Sequence, residues 1–502
     1  MRLGTRTLAG VAAVVTANSA PASATDDPAY DRAVAAVQER IAAIDAQEGY
    51  IPGRAVVMAK AGGVNIIDAS GVTRIENGKE VTSDTPFYIA SMTKAFVGLM
   101  AIQLDADGTM PLDTTLVDIF PDMKVEDVDL STMTMRRLLS HQMGFSVDVL
   151  SLRTAYTDMV DVADYSAIVS AAGIKIDEEF RYSNQGYLLY AAALEAKTGR
   201  SWRAWIEDTL FDPLEMQRTS ARPSDFAEVS HSHYRSGGKL TLYKPKEDEV
   251  MHAAGGLMIS AEDMGRWLSA NLGQPSAIDQ AVFDAAQTNQ VSLDMQHGPI
   301  HCSGYSFGWR QCDVHGLKFL EHGGSYTGMR SQMAILPEHG VGFAAMFNSD
   351  SMTGGLGGRL MLTFLSAFAG ETERLPPPEA FAAMYTKQVA RLDTGRAEAA
   401  KEERAKEEWG GWKWQPDIAE LAEYTGTFSD AALGTLEIGL IDGTAKAWVN
   451  AMPATLEPAQ RDVFGAVLAT DYELEKLAFE RDEVGEIVAA NFLGRRLIRT
   501  GR

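Results

Sequence analysis

Apolar residues recur at spacings of three and four along the first part of the chain, a pattern that is typical of amphipathic helices. A first helix is predicted by the apolar set Tyr30, Val34, Val37, Ile41 and Ile44. Two short apolar runs at 55–59 and 64–69 then predict a hairpin across Gly62 and Gly63. A second helix is predicted by the set Met92, Ala95, Phe96, Leu99, Met100 and Ile102. The chain therefore begins with a helix, a hairpin and a second helix.

The pattern changes from helical to strand-like along the next part of the chain. Helical patterns dominate the middle third, at 134–140, 188–198 and 202–210. After residue 300, apolar runs between glycine-rich turns predict strands at 305–314, 317–322, 332–336 and 341–348, with a closing helix at 356–369. Strands at both ends of a helical insert predict an α/β layer with a helical subdomain, and a site in the cleft between them.

The last part of the chain has a different pattern. Pro376-Pro377-Pro378 begins a predicted connector, and residues 397–408 carry eight charged residues in twelve, which predicts a solvated helical spacer. Short strand-like runs follow at 433–441, 446–449, 463–469, 476–480 and 487–492, which predicts a small β-barrel or sandwich. The predicted domains are a leader at 1–24, a main domain at 25–370, a charged helical linker at 371–416 and a small, lipocalin-like β-barrel at 417–502.

The charge of the chain and its N-terminal segment indicate which partners and which cellular compartment to expect. A net charge of -23 over 502 residues argues against nucleic acid, because binding phosphates needs clustered Lys and Arg. The N-terminus resembles a secretory signal, with Arg2 and Arg6, an apolar core at 8–15 and the small residues Ala22-Ser23-Ala24. No later apolar run is long enough to cross a bilayer, so we expect an exported protein, periplasmic or secreted, without stable membrane insertion.

The chain has two cysteines, Cys302 and Cys312, on either side of the aromatic run 305–309. After export, a disulfide across two strands and a pair of buried thiols are both consistent with this placement. Zinc is disfavoured, because no histidine stands at ligand spacing from the pair. The paired histidines His231 and His233 likewise lack a third ligand, and a surface loop is expected there.

A Ser-x-x-Lys pattern, Ser91 and Lys94, stands at the head of the second predicted helix. Residues three apart on a helix share a face, so the Lys94 amine can reach the Ser91 hydroxyl. A lysine in apolar surroundings loses proton affinity and can act as a base, which makes Ser91 a candidate nucleophile. The alternative is an N-cap serine with a solvated lysine.

Two further polar segments complete the candidate site. In Tyr182-Ser183-Asn184, extended backbone would place the phenol and the amide on one side, and a nearby ammonium would favour the phenolate of Tyr182. Asn184 would hold the Lys94 amine and a substrate amide, although a turn with an N-cap asparagine explains the segment equally well. In the segment 322–328, glycines let a substrate lie against a strand end, and the Ser325 N–H can complete an oxyanion pocket with that of Ser91. A simple β-turn is the alternative for these glycines.

With these elements in order, the chain resembles the serine β-lactamase and penicillin-binding-protein superfamily, in particular its class C-like branch of esterases and D-aminopeptidases. The resemblance covers about residues 30–370 and includes the segments 138–144 and 254–260. Ser91 and Lys94 match the family's Ser-x-x-Lys, and Tyr182 and Asn184 match its Tyr-x-Asn. It implies an α+β fold, with an antiparallel sheet flanked by helices beside a helical subdomain. It also implies a serine hydrolase that uses Ser91, Lys94 and Tyr182 and needs neither metal nor cofactor.

The third motif departs from the penicillin-recognising form, because His322-Gly323-Gly324 replaces Lys-Thr-Gly. His322, Gly324 and Ser325 are then expected to bind substrate or its oxyanion. An ester or a peptide of D-amino acids is the expected small-molecule or peptide substrate, with a β-lactamase or penicillin-binding DD-peptidase as the alternative. A non-catalytic peptidoglycan-binding or peptide-binding protein is the alternative of another class. The C-terminal domain resembles barrels that reach the cleft or mediate assembly in some peptidases, so an oligomer can form through it.

Overall fold

The computed structural model describes residues 27–47, 51–236, 238–243, 246–349, 355–468 and 474–501. The predicted leader at 1–24 lies outside the described residues. The helices of the described chain are α1 (Pro28–Asp45), α2 (Thr93–Ala106), α3 (Leu116–Ile119), α4 (Met135–Leu139), α5 (Asp148–Leu152), α6 (Tyr165–Ala172), α7 (Gln185–Thr198), α8 (Trp202–Ile206), α9 (Ala261–Asn271), α10 (Gln280–Gln287), α11 (Leu356–Phe368), α12 (Pro378–Ala405) and α13 (Ile418–Ala422). Among them, no helix is both long and apolar enough to cross a membrane.

An antiparallel sheet of eight strands forms the centre of the main domain, in the order β10-β11-β12-β13-β14-β15-β1-β2. Its strands are β1 (Gly53–Lys60), β2 (Ile66–Gly71), β10 (Val291–His297), β11 (Ile300–Tyr305), β12 (Arg310–Val314), β13 (Leu317–Tyr326), β14 (Met329–Leu336) and β15 (Val341–Phe347). Short strands elsewhere are β3 (Phe87–Tyr88), β4 (Phe145–Ser146), β5 (Ile174–Lys175), β6 (Thr219–Ser220), β7 (His233–Ser236), β8 (Lys239–Leu242) and β9 (Met258–Ile259). The hairpin β1–β2 joins the later strands through the pairing of β1 with β15.

Both faces of this sheet are covered, as the alternation along β1 shows. Ala55, Val57 and Ala59 point to one face, where they join a core with α2 and α9. Val56 and Met58 point to the other face, where they pack with α1, α11 and α12. Period-two alternation sends neighbouring side chains to opposite faces, so a strand buried on both sides is continuously apolar. The predicted α+β fold, an antiparallel sheet flanked by helices beside a helical subdomain, is confirmed.

The single strand predicted at 305–314 is wrong. The chain forms β11 and β12 instead, separated by a turn at 306–309 that packs onto α2. A Cβ added to Gly98 of α2 would lie 2.4 Å from the Phe307 carbonyl oxygen, so this contact requires glycine. Gly308 has a φ of 86°, which L side chains rarely adopt. The aromatic run 305–309 therefore contributes a corner that supports the helix carrying Lys94.

Cys302 and Cys312 form a disulfide, which decides between the two states left open by the sequence. The two residues lie opposite each other in the pairing of β11 with β12. The bond closes a loop with a sequence separation of 10. Replacing both cysteines with alanine is expected to lower the free energy of unfolding by about 2–3 kcal/mol, since the crosslink restricts the unfolded chain. Urea denaturation without reductant measures this loss, and reduced wild-type protein should match the double variant; an unchanged midpoint would contradict the estimate.

A closed eight-stranded barrel forms the C-terminal domain, as predicted. Its strands are β16 (Gly426–Asp430), β17 (Gly434–Ile441), β18 (Thr444–Val449), β19 (Met452–Gln460), β20 (Val463–Leu468), β21 (Leu474–Arg481), β22 (Ile487–Phe492) and β23 (Arg495–Gly501). Pairing of β16 with β23 closes it, which removes both sheet edges. Helix α12 leads toward the barrel: Phe381, Tyr385 and Val389 near its start are buried in the main domain, and its charged second half is mostly exposed.

Candidate active site

Ser91 lies in a 3-10 turn, Ala90–Met92, which leads directly into α2. Ala90 has a φ of 47°, so the backbone just before Ser91 is in the left-handed region that L residues avoid. Strands of the main sheet hold this turn from below: Ser331 Oγ donates to the Ile89 carbonyl at 2.8 Å. A Cβ on Gly324 would lie 2.1 Å from the same oxygen, so the close approach requires glycine there. The sheet thereby fixes the position of the Ser91 hydroxyl.

Lys94 is completely buried, and its Nζ has three oxygen neighbours. Nζ lies 3.1 Å from Ser91 Oγ, 2.8 Å from Asn184 Oδ1 and 2.7 Å from the Ala254 carbonyl oxygen. Burial, and secondarily the nearby Arg310 cation, hold the pKa of Lys94 well below its usual value. The amide and peptide oxygens only accept, so a neutral amine gives them its two hydrogens and turns its lone pair toward the Ser91 hydroxyl. The predicted basic lysine is thus placed against the candidate nucleophile.

Tyr182 adjoins Ser91 and Lys94 at the mouth of the cleft. Its ring centroid is 4.9 Å from Lys94 Nζ, and it lines the same cavity as Ser91. Desolvation of the phenol within the cleft raises the pKa of Tyr182 to about 12, although 37% of the residue is exposed and the Ser91 side chain and Arg310 oppose the shift. The expectation that an ammonium would favour its phenolate is therefore wrong, because desolvation outweighs the nearby positive charge. Tyr182 is a neutral phenol at pH 7.

Asn184 stands directly before α7, but its side chain makes no capping bond to that helix. The amide oxygen accepts from Lys94 instead, so the N-cap alternative does not describe it. β13 continues through Gly323 and Gly324 in register with β14 as far as Tyr326, so the β-turn alternative is wrong for these two glycines. It is right for Gly328, which has a φ of 76° and forms the turn between the two strands with Thr327. The Asn184 side chain therefore contacts Lys94 instead of capping its helix, and Gly323 and Gly324 belong to a strand.

Within the segment 322–325, three residues line the cleft and His322 does not. Gly323, Gly324 and Ser325 line a cavity of about 370 Å³ together with Ser91 and Tyr182. His322 is fully buried behind them, with Nδ1 2.8 Å from the Gly323 carbonyl oxygen and Nε2 3.2 Å from Tyr305 Oη. Burial lowers the pKa of His322, so a neutral ring donates from Nδ1 and accepts the tyrosine hydroxyl at Nε2. Of the predicted residues, His322 supports the cleft from behind and does not line it.

Arg310 is a cleft residue that the sequence reasoning missed. It lines the same cavity as Ser91 and Tyr182, and its Nη1 donates to Glu321 Oε1 at 2.7 Å. Arg310 and Glu321 lie opposite each other in the pairing of β12 with β13, which places the guanidinium at the cleft. The sequence analysis predicted one strand across 305–314, so it did not identify Arg310 as the first residue of a separate strand. A cation therefore stands in the cleft although the Lys-Thr-Gly lysine is absent.

His233 is also placed differently from the prediction of a surface loop. It is completely buried, with Nδ1 2.8 Å from the Asn348 carbonyl oxygen and Nε2 accepting from the Ile75 N–H at 3.0 Å. Both ring nitrogens are thus used in holding the backbone together. The imidazole is structural and is not part of the cleft around Ser91.

Comparison with known proteins identifies the family and the fold. Residues 9–366 match the family model described as beta-lactamase. "Penicillin-binding protein 4" of Amycolatopsis lactamdurans is 28% identical over 358 residues, which cover 69% of this chain and 92% of that protein. Among solved structures, the octameric penicillin-binding protein homologue from Pyrococcus abyssi has a TM-score of 0.56 at 19% identity, over 93% of this chain and 99% of that one. The D-amino acid amidase from Ochrobactrum anthropi SV3 has a TM-score of 0.55 at 20% identity, over 67% of this chain and 99% of that one.

The two structural likenesses establish the fold alone and not the activity, because both are below 25% identity. The region that matches the family model covers well over half of the chain, and it includes Ser91, Lys94, Tyr182 and Asn184. The resemblance inferred from these motifs is therefore confirmed at the level of the family. The chain belongs to the beta-lactamase family, within the serine β-lactamase and penicillin-binding-protein superfamily.

Proposed function

We propose that this protein is a serine hydrolase that forms an acyl-enzyme on Ser91 with an ester or amide substrate. The observation that carries the proposal is the fully buried Lys94, whose Nζ lies 3.1 Å from Ser91 Oγ. Asn184 and the Ala254 carbonyl take its hydrogens, so the remaining lone pair is directed at the hydroxyl. A desolvated amine beside a hydroxyl is the arrangement that activates a weak nucleophile.

The proposed first step is attack by Ser91 Oγ on the substrate carbonyl, while Lys94 takes the hydroxyl proton. The oxygen that gains charge then rests on the backbone N–H groups of Ser91 and Ser325. Tyr182, a neutral phenol, passes a proton to the departing alcohol or amine and is reprotonated from Lys94. Water then attacks the acyl carbonyl with the same base, which releases the acid and restores Ser91.

The proposed substrate is an ester or a peptide of D-amino acids. The D-amino acid amidase and the penicillin-binding homologue share the fold, and their names motivate the choice. A β-lactam or the peptide of a DD-peptidase remains the second candidate, because Arg310 lines the cleft where a substrate carboxylate would need a cation. A family name alone does not choose between these substrates.

A substrate panel tests the proposal. Hydrolysis of p-nitrophenyl acetate, D-alanine p-nitroanilide and nitrocefin is measured with wild-type protein and with Ser91→Ala. The proposal expects turnover of the ester, the anilide or both, and loss of all turnover in the variant. Turnover of nitrocefin alone would favour the β-lactamase alternative. A peptidoglycan-binding or peptide-binding protein without catalysis would hydrolyse none of the three.

We further propose export, with 1–24 as the signal peptide, 25–370 as the hydrolase domain, 371–416 as the linker and 417–502 as the barrel domain. The Cys302–Cys312 disulfide supports export, because such bonds persist in oxidising compartments. An N-terminus at residue 25 in protein recovered from the cell exterior or periplasm would support the cleavage site, and an intact leader would contradict it. The Pyrococcus abyssi homologue is described as octameric, so light scattering with and without residues 417–502 tests an assembly through the barrel.

A further inference from the structure

Lys246 has its ammonium among three tyrosine rings. Its Nζ is 4.0 Å from the ring centroid of Tyr326 and 5.5 Å from those of Tyr88 and Tyr156. It also donates to the carbonyl oxygens of Ala155 at 2.6 Å and Val250 at 3.1 Å. A cation within about 6 Å of an aromatic face is attracted to it, most strongly where water is excluded.

The three tyrosines, here called the aromatic wall, come from separate parts of the fold. Tyr88 ends β3 just before Ser91, and Tyr326 ends β13 just after Ser325. Tyr156 belongs to a π-helical turn, Arg153–Thr157. All three line a cavity of about 300 Å³ that also contains Ser91 and Asn184. The aromatic wall therefore faces the candidate nucleophile.

Lys246 lies behind this wall. It lines a second cavity, of about 370 Å³, whose lining shares Tyr156 and Tyr326 with the cavity at Ser91. The barrel contacts the turn that carries Tyr156. Asn450 Nδ2 donates to Thr157 Oγ1 at 3.1 Å, and the Ala451 N–H donates to the Thr157 carbonyl at 3.3 Å. The turn that carries Tyr156 is thus held from one side by Lys246 and from the other by the barrel.

We propose that Lys246 is a positioning residue for substrate selection, whose ammonium holds the aromatic wall beside Ser91 so that it binds an apolar or aromatic group of the substrate. This inference rests on the proposed function, because it presumes a substrate at Ser91. A small substrate does not reach the wall, so Lys246 affects mainly the preference for large groups over small ones.

The charge of Lys246 is expected to change near neutral pH. Burial lowers its pKa to about 7. The cation is therefore present below pH 7 and lost above it, and with it the attraction to the rings. The other titratable groups that line its cavity, contact it or lie within its electrostatic reach are Tyr88, Tyr156, Tyr243, Tyr326, Asp158, Glu247, Glu249 and His252.

The preference for large groups over small ones is measured with three esters. Methyl acetate is the small ester, methyl phenylacetate has a large acyl group, and benzyl acetate has a large alcohol group. Hydrolysis is followed by proton release, and kcat/KM for each large ester is divided by that for methyl acetate. The pH dependence of Ser91 and Lys94 cancels in this ratio. In wild-type protein, one of the two ratios is expected to fall about tenfold between about pH 6 and about pH 8.5, as the cation is lost.

Two substitutions separate charge from packing. Lys246→Arg keeps a cation at both pH values and should give a high ratio that does not change with pH. Lys246→Met should give a low ratio at both pH values, and Lys124→Met, at an exposed site, should behave as wild type. Thermal unfolding checks that each variant folds, and the wild-type pH comparison needs no substitution.

One result would overturn the inference while the enzyme is active: a folded Lys246→Met protein that keeps the wild-type ratios at about pH 6, where the ammonium of wild-type protein is present. A wild-type protein that hydrolyses none of the three esters would overturn the proposed function, and this inference with it. A fall in one ratio that disappears in Lys246→Arg supports the inference.

Discussion

Replacing Ser91 with alanine is expected to lower kcat by roughly 10⁴-fold or more on every substrate that the protein hydrolyses. The substitution removes the oxygen that would form the covalent bond, and binding groups alone leave only residual catalysis. The fold should survive, because Ser91 is a small side chain at the cleft and the turn is held through the Ile89 carbonyl. Steady-state kinetics and thermal unfolding measure the two effects separately.

Ser276→Ala is the matched control, since Ser276 is an exposed serine of the main domain that does not line the cleft. Its kcat should equal that of wild type. A folded Ser91→Ala protein with more than a tenth of wild-type turnover would show that another group attacks the substrate.

Replacing Lys94 with methionine is the second large effect, with an expected fall in kcat/KM of about 10³-fold. Methionine fills the same space without a proton acceptor, so Ser91 keeps its place and loses its base. In wild-type protein, kcat/KM should rise with pH through the lowered pKa of Lys94, because only the neutral amine accepts a proton. A pH–rate profile of both proteins with the same ester measures this: the rise should be present in wild type and absent from the variant.

The same substitution is expected to remove a pH dependence of the free energy of unfolding. The unfolded chain binds a proton at Lys94 up to its ordinary pKa of 10.5, whereas the folded protein releases it at lower pH. Between these two values the unfolded state binds more protons, so the free energy of unfolding increases with pH in wild type. Lys94→Met removes that dependence and the cost of burying the amine. A free energy of unfolding in wild type that does not increase with pH between these two values would contradict a buried, uncharged lysine.

The local part of the site was predictable from the chain. The spacing of Ser91 and Lys94, with the apolar pattern that follows, specifies a helix start with both groups on one face. The contact of Lys94 with Asn184 spans 90 residues, so no local pattern encodes it. It was predicted from the hydrogen-bonding capacity of the Asn184 amide, and the structure shows the same two residues in contact.

The missed features arise from pairing that local patterns do not reveal. Arg310 reaches the cleft only because β12 pairs in register with β13, opposite Glu321. The raised pKa of Tyr182 follows from desolvation within the folded cleft, which outweighs the opposing Arg310 cation. In the barrel, the predicted runs omitted β16, β19 and β23, and it is the pairing of β16 with β23 that closes the sheet.

Ser91 is proposed to be the nucleophile that carries the covalent intermediate. Intact-protein mass spectrometry after incubation with a fluorophosphonate, followed by peptide mapping, tests it most directly. The expected result is one adduct per chain, on the peptide that contains Ser91, and none in the Ser91→Ala protein. A protein that hydrolyses esters while carrying its adduct on a different residue, or no adduct at all, would contradict the account.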